Sequence, residues 1–213
     1  LPTEPQGQMR GRRGLREKIA GAGNDPEGRS EMQTRAEQWA DTARDKYDTP
    51  DADGTGEAPG DDTLDSAVRT ALRSVDEEYG GFGSDGPKFP QPGRLDLLLR
   101  AAGRSGTTDA LTAVTATLDA IADGGMYDHL GGGFHRYATD REWTVPHFEK
   151  MLYDNAGLPP LYLAGHQLTG DEGYAETVDE TLAFVERELT HPDGGFYSTL
   201  DARSGDEEGS FYV

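Results

Sequence analysis

The sequence predicts a mainly helical fold in which hairpins of helices form part of an α/α toroid. Apolar residues recur at helical spacing in successive segments, and the tripeptide Gly-Gly-Phe occurs three times, centred on Gly81, Gly133 and Gly195. These centres lie 52 and 62 residues apart, with two predicted helices in each interval. Short turns alternate with long glycine-aromatic loops, so each hairpin returns the chain to one rim, where the long loops surround a cleft. A solenoid of helical hairpins is the alternative, but solenoids usually have short loops on both edges.

Five helices are predicted beyond residue 61, each from a stripe of apolar residues at helical spacing. The stripes span residues 64–75, 95–102, 111–121, 148–153 and 175–189. Asp62 and Thr63 precede the first stripe, and Pro146 marks the expected start of the fourth helix. The run Gly157-Leu158-Pro159-Pro160 predicts a break near Gly157, because proline in a helix interior costs about 3 kcal/mol.

The chain is predicted to have three regions. Residues 1–47 contain a Gly/Pro/Arg-rich opening, a short helix at 14–20 and a longer helix that Asp25 and Pro26 begin. Residues 48–61 are rich in Asp, Gly and Pro and contain no large apolar side chain, which predicts a flexible linker. Residues 62–213 form the toroid part. The first residue is leucine rather than methionine, and the last two are Tyr212-Val213, so we expect both ends to be cuts.

The charge balance excludes some classes of partner. The 213 residues include 40 acidic and 20 basic ones, a net charge of -20 that is spread over the whole length. This disfavours binding to nucleic acids and anionic membranes, and favours a protein from a salt-accumulating organism over an ordinary acidic surface. There is no cysteine, so neither a disulfide nor a thiol nucleophile is available. No apolar run approaches the roughly 20 residues of a membrane span and no signal peptide is visible, so we expect a cytoplasmic protein.

One stretch, residues 124–155, is the candidate functional region. It contains three of the five histidines, one tryptophan, several other aromatic residues and many glycines. Glycine allows close approach of the backbone to a ligand, and the other residues supply stacking faces and titratable groups. This mixture predicts a shaped polar pocket. The alternative is a packed loop between helices whose histidines are merely hydrogen-bonded.

Three segments carry a resemblance to a known family. They are residues 80–92 (GGFGSDGPKFPQP), 124–155 and 194–213 (GGFYSTLDARSGDEEGSFYV). They resemble the YyaL-type proteins, a family that includes the spermatogenesis-associated thioredoxin-like proteins. In that family a thioredoxin-like domain precedes an (α/α)6 toroid of the six-hairpin glycosidase kind, similar to N-acylglucosamine 2-epimerases. The resemblance implies that residues 1–47 are the C-terminal remnant of the thioredoxin-like domain, and that residues 62–213 hold about three of the six hairpins.

The resemblance to sugar epimerases, in which histidines exchange a proton next to a carbonyl, points to His147 acting with His129 or His135. His147 and Glu149 flank Phe148 at the predicted start of a helix, where the helix dipole disfavours a cationic imidazole. A neutral His147 could then act as a general base. Alternatively, His147 caps the helix or bonds a carbonyl group.

Two other chemistries are considered for the same region. Glycoside hydrolysis needs two carboxylates, for which Asp128, Glu149 and Asp154 are candidates. Salt bridges such as Asp128 with Arg136, or Glu149 with Arg141, explain these acids equally well. The histidine spacings match no familiar zinc pattern, so no metal and no other cofactor is expected.

A small-molecule sugar is the expected ligand, and its binding residues are predicted on the same rim. The predicted set comprises Lys88, Phe89, Arg136, Tyr137, Trp143, Asp154 and Asn155. Lys88 would place a cation at the rim, and Phe89 and Trp143 would offer stacking faces. The alternatives are a solvated lysine in a proline-stiffened loop and aromatic side chains used in packing.

Three interpretations of function stay open. The first is a carbohydrate-active toroid with acid–base chemistry of the epimerase or isomerase type. The second is a non-catalytic module that binds a sugar or a protein and is linked to thioredoxin-like redox chemistry. The third is a truncated, inactive gene product, favoured by the double proline at 159–160 and the incomplete toroid. Arg203 stands where the family commonly has an acidic residue, which weakens a role for Asp201.

Overall fold

The computed structural model describes residues 26–47, 60, 62–203 and 207–210, and the chain divides into two compact units, Leu1–Ala58 and Pro59–Val213. In the first unit the described part is helix α1, Pro26–Tyr47, which begins at the predicted proline. The predicted helix at 14–20 and nearly all of the predicted linker at 48–61 lie outside the described residues.

The described part of the second unit contains six α-helices and four two-residue strands. The helices are α2 (Asp62–Leu72), α3 (Pro92–Ser105), α4 (Thr108–Asp123), α5 (Leu152–Gly157), α6 (Pro159–Thr169) and α7 (Glu172–Phe184). A π-helical turn, Val185–Leu189, extends α7. The strands are β1 (Tyr137–Ala138), β2 (Pro146–His147), β3 (Lys150–Met151) and β4 (Thr199–Leu200). Strand β1 pairs antiparallel with β2, and β3 with β4.

The ends of the helices follow local sequence signals. Pro92 is the first residue of α3, and the Asp171 carboxylate caps α7 by accepting a hydrogen bond from the Gly173 N–H at 2.9 Å. Gly106 and Gly170 end α3 and α6 in the left-handed conformation. Because these two turns are so short, α3 packs against α4 and α6 against α7 as two helical hairpins.

The core lies mainly among the four helices of these hairpins. Its fully buried side chains include Leu95, Leu98, Val114, Leu118, Ile121, Leu158 and Tyr162. The Tyr162 hydroxyl donates to the Leu118 carbonyl at 2.8 Å, so its polar atom is satisfied inside the core. Each fully buried leucine or isoleucine contributes about 1.5–3 kcal/mol relative to an exposed one. The predicted apolar stripes are thus the faces that hold the hairpins together.

The three Gly-Gly-Phe segments form the same kind of loop. We call residues 75–82 the first loop, 127–134 the second loop and 190–196 the third loop. Each is closed by an antiparallel bridge, Val75 with Phe82, Tyr127 with Phe134 and Thr190 with Phe196. In each loop both glycines before the phenylalanine have positive φ. The sequence repeat is therefore a structural repeat, as predicted.

A buried lysine–aspartate pair supports each of the first two loops. Lys88 Nζ lies 2.6 Å from Asp76 Oδ2, and Lys150 Nζ lies 2.6 Å from Asp128 Oδ2. Each ammonium also donates to a glycine carbonyl of its loop. His191 follows the bridge residue of the third loop, at the place of the two aspartates.

The predicted fourth helix is wrong at its start and right at its break. Residues near Pro146 form strand β2, and β3 follows it, so the backbone groups that a helix would use are paired with other strands. Helix α5 begins only at Leu152. It ends at Gly157 and α6 begins at Pro159, which confirms the break that the glycine and prolines predict.

Candidate functional site

An aromatic stack forms one wall of the candidate site. The pairing of β1 with β2 places Tyr137 opposite His147, and their rings stack with centroids 5.0 Å apart. Phe89 stacks on Tyr137 at 4.6 Å. Reciprocal backbone hydrogen bonds of 2.9 Å between Lys88 and Ala138 hold the two segments in this register. The stack therefore consists of three residues that come from two separate stretches of chain.

The imidazole of His147 lies between two carboxylates. Its Nδ1 is 2.7 Å from Glu208 Oε1, and its Nε2 is 3.4 Å from Glu149 Oε2. Glu208 Oε1 also accepts a hydrogen bond from the Phe148 N–H at 3.3 Å. About a quarter of the His147 side chain is exposed, so the ring is held firmly and still reaches the surface.

The Glu149 carboxylate is shared by several groups. Arg136 Nη1 lies 3.2 Å from Glu149 Oε2, and Arg136 Nε donates to the Tyr153 hydroxyl at 3.3 Å. The Thr199 hydroxyl donates to the other oxygen of Glu149 at 3.4 Å. We refer to His147, Glu149, Glu208, Arg136, Tyr137 and Tyr153 as the His147 cluster.

Asp154 is a buried carboxyl beside this cluster. It is 3% exposed, and its Oδ2 has no hydrogen-bond partner among the described residues. Burial raises the pKa of Asp154 to about 7, while a hydrogen bond with Tyr153 and the charge of Arg136 act in the opposite direction. Such a group changes its charge near neutral pH.

The other two histidines of the predicted catalytic set occupy different environments. His135 is almost fully buried, and it packs edge-on against Phe148 at 5.3 Å. Burial, with a contribution from the Lys150 charge, lowers the pKa of His135 to about 4, so its ring is neutral at physiological pH. His129 is exposed and its Nε2 lies 3.0 Å from the Gly124 carbonyl. The structure therefore joins neither ring to the carboxylates that hold His147.

The structure corrects three of the predicted sugar-binding residues. Lys88 is 1% exposed and paired with Asp76, so its ammonium is a buried support and not a cation at the rim. Trp143 is fully buried and donates its indole N–H to the Tyr79 carbonyl, so no face is open for stacking. Asn155 is fully buried and bonds both the N–H and the carbonyl of Phe134. Burial of a polar side chain is favourable only with such partners, which the sequence does not reveal.

The ion pairs differ from those considered in the sequence. Asp128 pairs with Lys150 instead of Arg136, and Glu149 pairs with Arg136 instead of Arg141. Glu208 was missed altogether, because it stands in a strongly acidic segment in which no single carboxylate is distinctive. Within the described part of the chain, no group of three or more His, Asp or Glu side chains is arranged to hold a metal ion.

The chain is similar in sequence to proteins named spermatogenesis-associated protein 20. It is 47% identical to the mouse protein and 48% identical to the human protein over 148 residues. Each match covers 65% of this chain, and the chain spans about a fifth (19%) of the length of these relatives. No protein-family model matches the chain.

Solved structures of sugar epimerases and isomerases resemble the fold. A sugar epimerase from a ruminal bacterium has a TM-score of 0.57 at 16% identity, covering 63% of this chain and 37% of its own. Cellobiose 2-epimerase from Spirochaeta thermophila has a TM-score of 0.55 at 21% identity, with coverages of 67% and 42%. A D-mannose isomerase has a TM-score of 0.52 at 20% identity, with coverages of 65% and 39%. These likenesses confirm the predicted partial α/α toroid of the six-hairpin glycosidase kind.

Proposed function

We propose that this chain contributes acid–base chemistry to a carbohydrate-active protein of the epimerase or isomerase type, with His147 as the group that exchanges a proton. The observation that carries this proposal is the position of His147 between the carboxylates of Glu149 and Glu208. The likeness of the fold to sugar epimerases supports it at the level of architecture. The sequence relatives, named only for their association with spermatogenesis, name no reaction.

The geometry around His147 suits a reversible proton transfer. A neutral imidazole has one N–H, and donating it from Nδ1 to Glu208 leaves a lone pair on Nε2. When Nε2 takes up a proton, the imidazolium has a carboxylate at each nitrogen. A sugar carbon next to a carbonyl would give its proton to Nε2, which leaves an enediolate. Nε2 would then return a proton either to the former carbonyl carbon, which isomerises the sugar, or to the opposite face of the first carbon after the enediolate rotates, which epimerises it. No group is oxidised or reduced overall, so no external electron carrier is needed.

Phe89 and the rest of the His147 cluster supply groups that bind a sugar. Phe89 is 43% exposed and continues the stack on Tyr137, which provides an aromatic face at the surface. Arg136 is partly exposed, and its guanidinium is positioned by Glu149 and Tyr153. In this proposal Arg136 polarises the carbonyl group, on whose oxygen negative charge develops during the reaction.

Conversion of D-mannose and cellobiose by the wild type and by His147→Asn tests the proposal. We expect His147→Asn to reduce turnover by at least about 100-fold, the usual contribution of a general base, with little change in sugar affinity. His166→Asn is the matched control, because His166 is partly exposed on α6 and bonds only the Asp171 carbonyl at 2.8 Å among the described residues. Unchanged turnover in His147→Asn would overturn the proposal.

A non-catalytic sugar-binding module is the second candidate. The observation that favours it is the network in which Glu149 is shared by Arg136 and His147, since such networks also serve as structural supports. This candidate predicts that the wild type binds both sugars and converts neither. Glycoside hydrolysis is less favoured, because Asp128 is 7% exposed and is ionised in its pair with Lys150, so it has no proton to donate to a leaving group.

The domain organisation also stays a proposal. We propose that residues 1–47 end a thioredoxin-like domain, that residues 48–61 are a linker and that residues 62–213 form the first half of the toroid. The family resemblance of the three loop segments supports this order. Sequencing the DNA on both sides of this reading frame tests it, and we expect a cysteine-bearing segment upstream and further glycine-aromatic hairpins downstream. Frames without these features would contradict the order.

A further inference from the structure

A cavity of about 610 Å³ lies on the other side of the β3–β4 ribbon from the His147 cluster. Lys150 and Leu200 are opposite each other in the ribbon and both line the cavity, whereas the neighbouring Glu149 and Thr199 belong to the cluster side. Successive side chains of a strand point to opposite faces, so one face of the β3–β4 ribbon lines the cavity and the other faces the His147 cluster. The volume lies within the range of about 300–1,000 Å³ that is typical of small-molecule sites.

The wall of the cavity contains buried charged groups. Lys150 and Asp128 are 1% and 7% exposed, and both line the cavity. Arg187, Asp201 and Arg203 also line it. Arg187 is held in place because it donates to the Gly131 carbonyl at 2.6 Å and pairs with Glu188. The lining thus combines three basic and three acidic side chains, a balance that suits an uncharged polar ligand.

The hydrogen bonds that Asp76 accepts in the first loop provide a comparison for Asp128 in the second. Asp76 accepts hydrogen bonds from Lys88 and from two backbone N–H groups, and Arg141 Nε and Nη2 add two more at 2.7 and 2.8 Å. The equivalent Asp128 accepts from Lys150 and from two backbone N–H groups. Among the described residues no guanidinium pairs with Asp128. Asp128 instead lines the cavity, where two further hydrogen-bond donors would complete it as Arg141 completes Asp76.

Reproducing the two hydrogen bonds that Arg141 donates to Asp76 needs a pair of adjacent donors. A guanidinium presents such a pair, and so do two neighbouring hydroxyl groups of a sugar. The cavity is much larger than a guanidinium, its charges are already balanced, and Leu130, Phe184 and Leu200 give it an apolar side. These properties favour a neutral ring with polar edges and an apolar face.

We propose that this cavity is a sugar-binding site, in which Asp128 accepts hydrogen bonds from two adjacent hydroxyls of the ligand. Its ligand class rests on the proposed function, but its residues are separate from the His147 cluster. The ring lies against Leu130 and Leu200, and Arg203 donates to its outer oxygen atoms. Lys150 keeps Asp128 ionised and in place, so Lys150 is a positioning residue.

Calorimetric titration with D-mannose and cellobiose tests the site, using the double variant Arg136→Ala/His147→Asn as the parent so that neither turnover nor sugar binding at the His147 cluster contributes to the measurement. Ala202→Trp fills the cavity and leaves the Lys150–Asp128 pair intact. We expect Ala202→Trp and Asp128→Asn each to weaken binding by at least tenfold. Asp193→Asn is the control, because Asp193 lies on the exposed third loop, and binding by this variant should equal that of the parent.

Three outcomes would overturn the proposal. They are a parent that binds neither sugar, an Ala202→Trp variant that is folded by circular dichroism and binds as tightly as the parent, and a parent that binds arginine methyl ester instead of the sugars. Because binding is measured in a variant without His147, loss of turnover at the His147 cluster does not affect the result. Conversely, a failed binding test leaves the turnover test of the wild type in place.

Discussion

At the scale of residues, His147 owes its environment to three stretches of chain. Tyr137 stacks on it across a strand pair, Glu149 is two residues away, and Glu208 is 61 residues away. The first two neighbours are close in sequence, and the predicted site contains both of them. The position of Glu208 depends on how the chain beyond the third loop returns towards strands β3 and β4, and no local sequence pattern encodes this.

Asp154 should make the chain less stable as the pH rises. Its pKa is about 7 in the folded state against an ordinary value of 3.8, so the folded state holds the extra proton between about pH 4 and pH 7. Stability from this group is lost over that window, by up to about 4 kcal/mol at about 1.4 kcal/mol per pKa unit. Urea unfolding should show that the stability of Asp154→Asn relative to the wild type is higher at about pH 8 than at about pH 5. An equal difference at both values would contradict the buried, uncompensated carboxyl.

His135 should act in the opposite sense. Its pKa is lowered from 6.5 to about 4, so the unfolded state binds the extra proton between these values and stability falls as the pH drops through them. The two groups therefore offset each other around pH 5 in the wild type. Repeating the same unfolding series with His135→Gln should show the variant becoming more stable relative to the wild type as the pH falls from about 6.5 to about 4. A variant as acid-sensitive as the wild type would show that His135 is not the group responsible.

At the scale of elements, the Gly-Gly-Phe loops allow a matched test of glycine. Gly133 and Gly195 have φ values of 79° and 80°, but a Cβ on Gly133 would clash with a Phe184 ring atom, whereas one on Gly195 meets no atom of the described residues within 4 Å. Gly195→Ala should cost about 1–2 kcal/mol for the left-handed backbone alone. Gly133→Ala should cost at least about 2 kcal/mol more, because Phe184 is buried and cannot move freely. Equal losses in the free energy of unfolding would contradict the close packing of the second loop.

The two buried lysines should differ in importance. In Lys150→Met the Asp128 carboxylate keeps only backbone partners among the described residues, so we expect a loss of about 3–5 kcal/mol. In Lys88→Met the Asp76 carboxylate stays paired with Arg141, and the loss should be clearly smaller. Chemical denaturation of both variants measures the difference. A larger loss for Lys88→Met would contradict the equivalence of the two loops on which the proposed sugar site rests.

The helical hairpins were predictable from sequence, and the strands between them were not. Stripes such as 95–102 and 111–121 repeat at helical spacing, and capping residues and glycines mark their ends. Strands β2 and β3 have two residues each, and they pair with partners that lie eight or more residues away. Such short strands show no periodicity, whereas Pro146 and the apolar residues after it match the pattern of a helix start.

At the scale of the whole molecule, the net charge of -20 predicts a dependence on salt. Raising KCl from about 0.1 M to about 1 M shortens the screening length from about 10 Å to about 3 Å and weakens the repulsion among the acidic residues. We expect the melting temperature to rise, by about 2–4 °C for each kcal/mol of repulsion relieved. A melting temperature that falls with KCl would contradict the salt-adapted interpretation, which stays a prediction.

In the described part of the chain no helix is long and apolar enough to cross a membrane, and a cytoplasmic location also stays a prediction.

The fold brings some of the predicted site residues together, and their role stays a prediction. His147, Glu149, Arg136, Tyr137 and Phe89 are brought together, and all retain some exposure. Lys88, Trp143 and Asn155 came from the same glycine-aromatic segments, but they are buried supports of the loops. Sequence composition identified the loops that carry polar and aromatic groups. It did not separate side chains that face a ligand from those that hold the loop, because that depends on packing against helices such as α4 and α7.

The most direct test of the account is incorporation of solvent deuterium into the sugar. If Nε2 of His147 removes and returns a proton next to the carbonyl, D-mannose incubated with the wild type in D2O should gain one deuterium at that carbon. Proton NMR should show the signal of that position disappearing with the wild type and persisting with His147→Asn and Glu208→Gln. Deuterium incorporation that continues at the wild-type rate in His147→Asn would contradict the central claim.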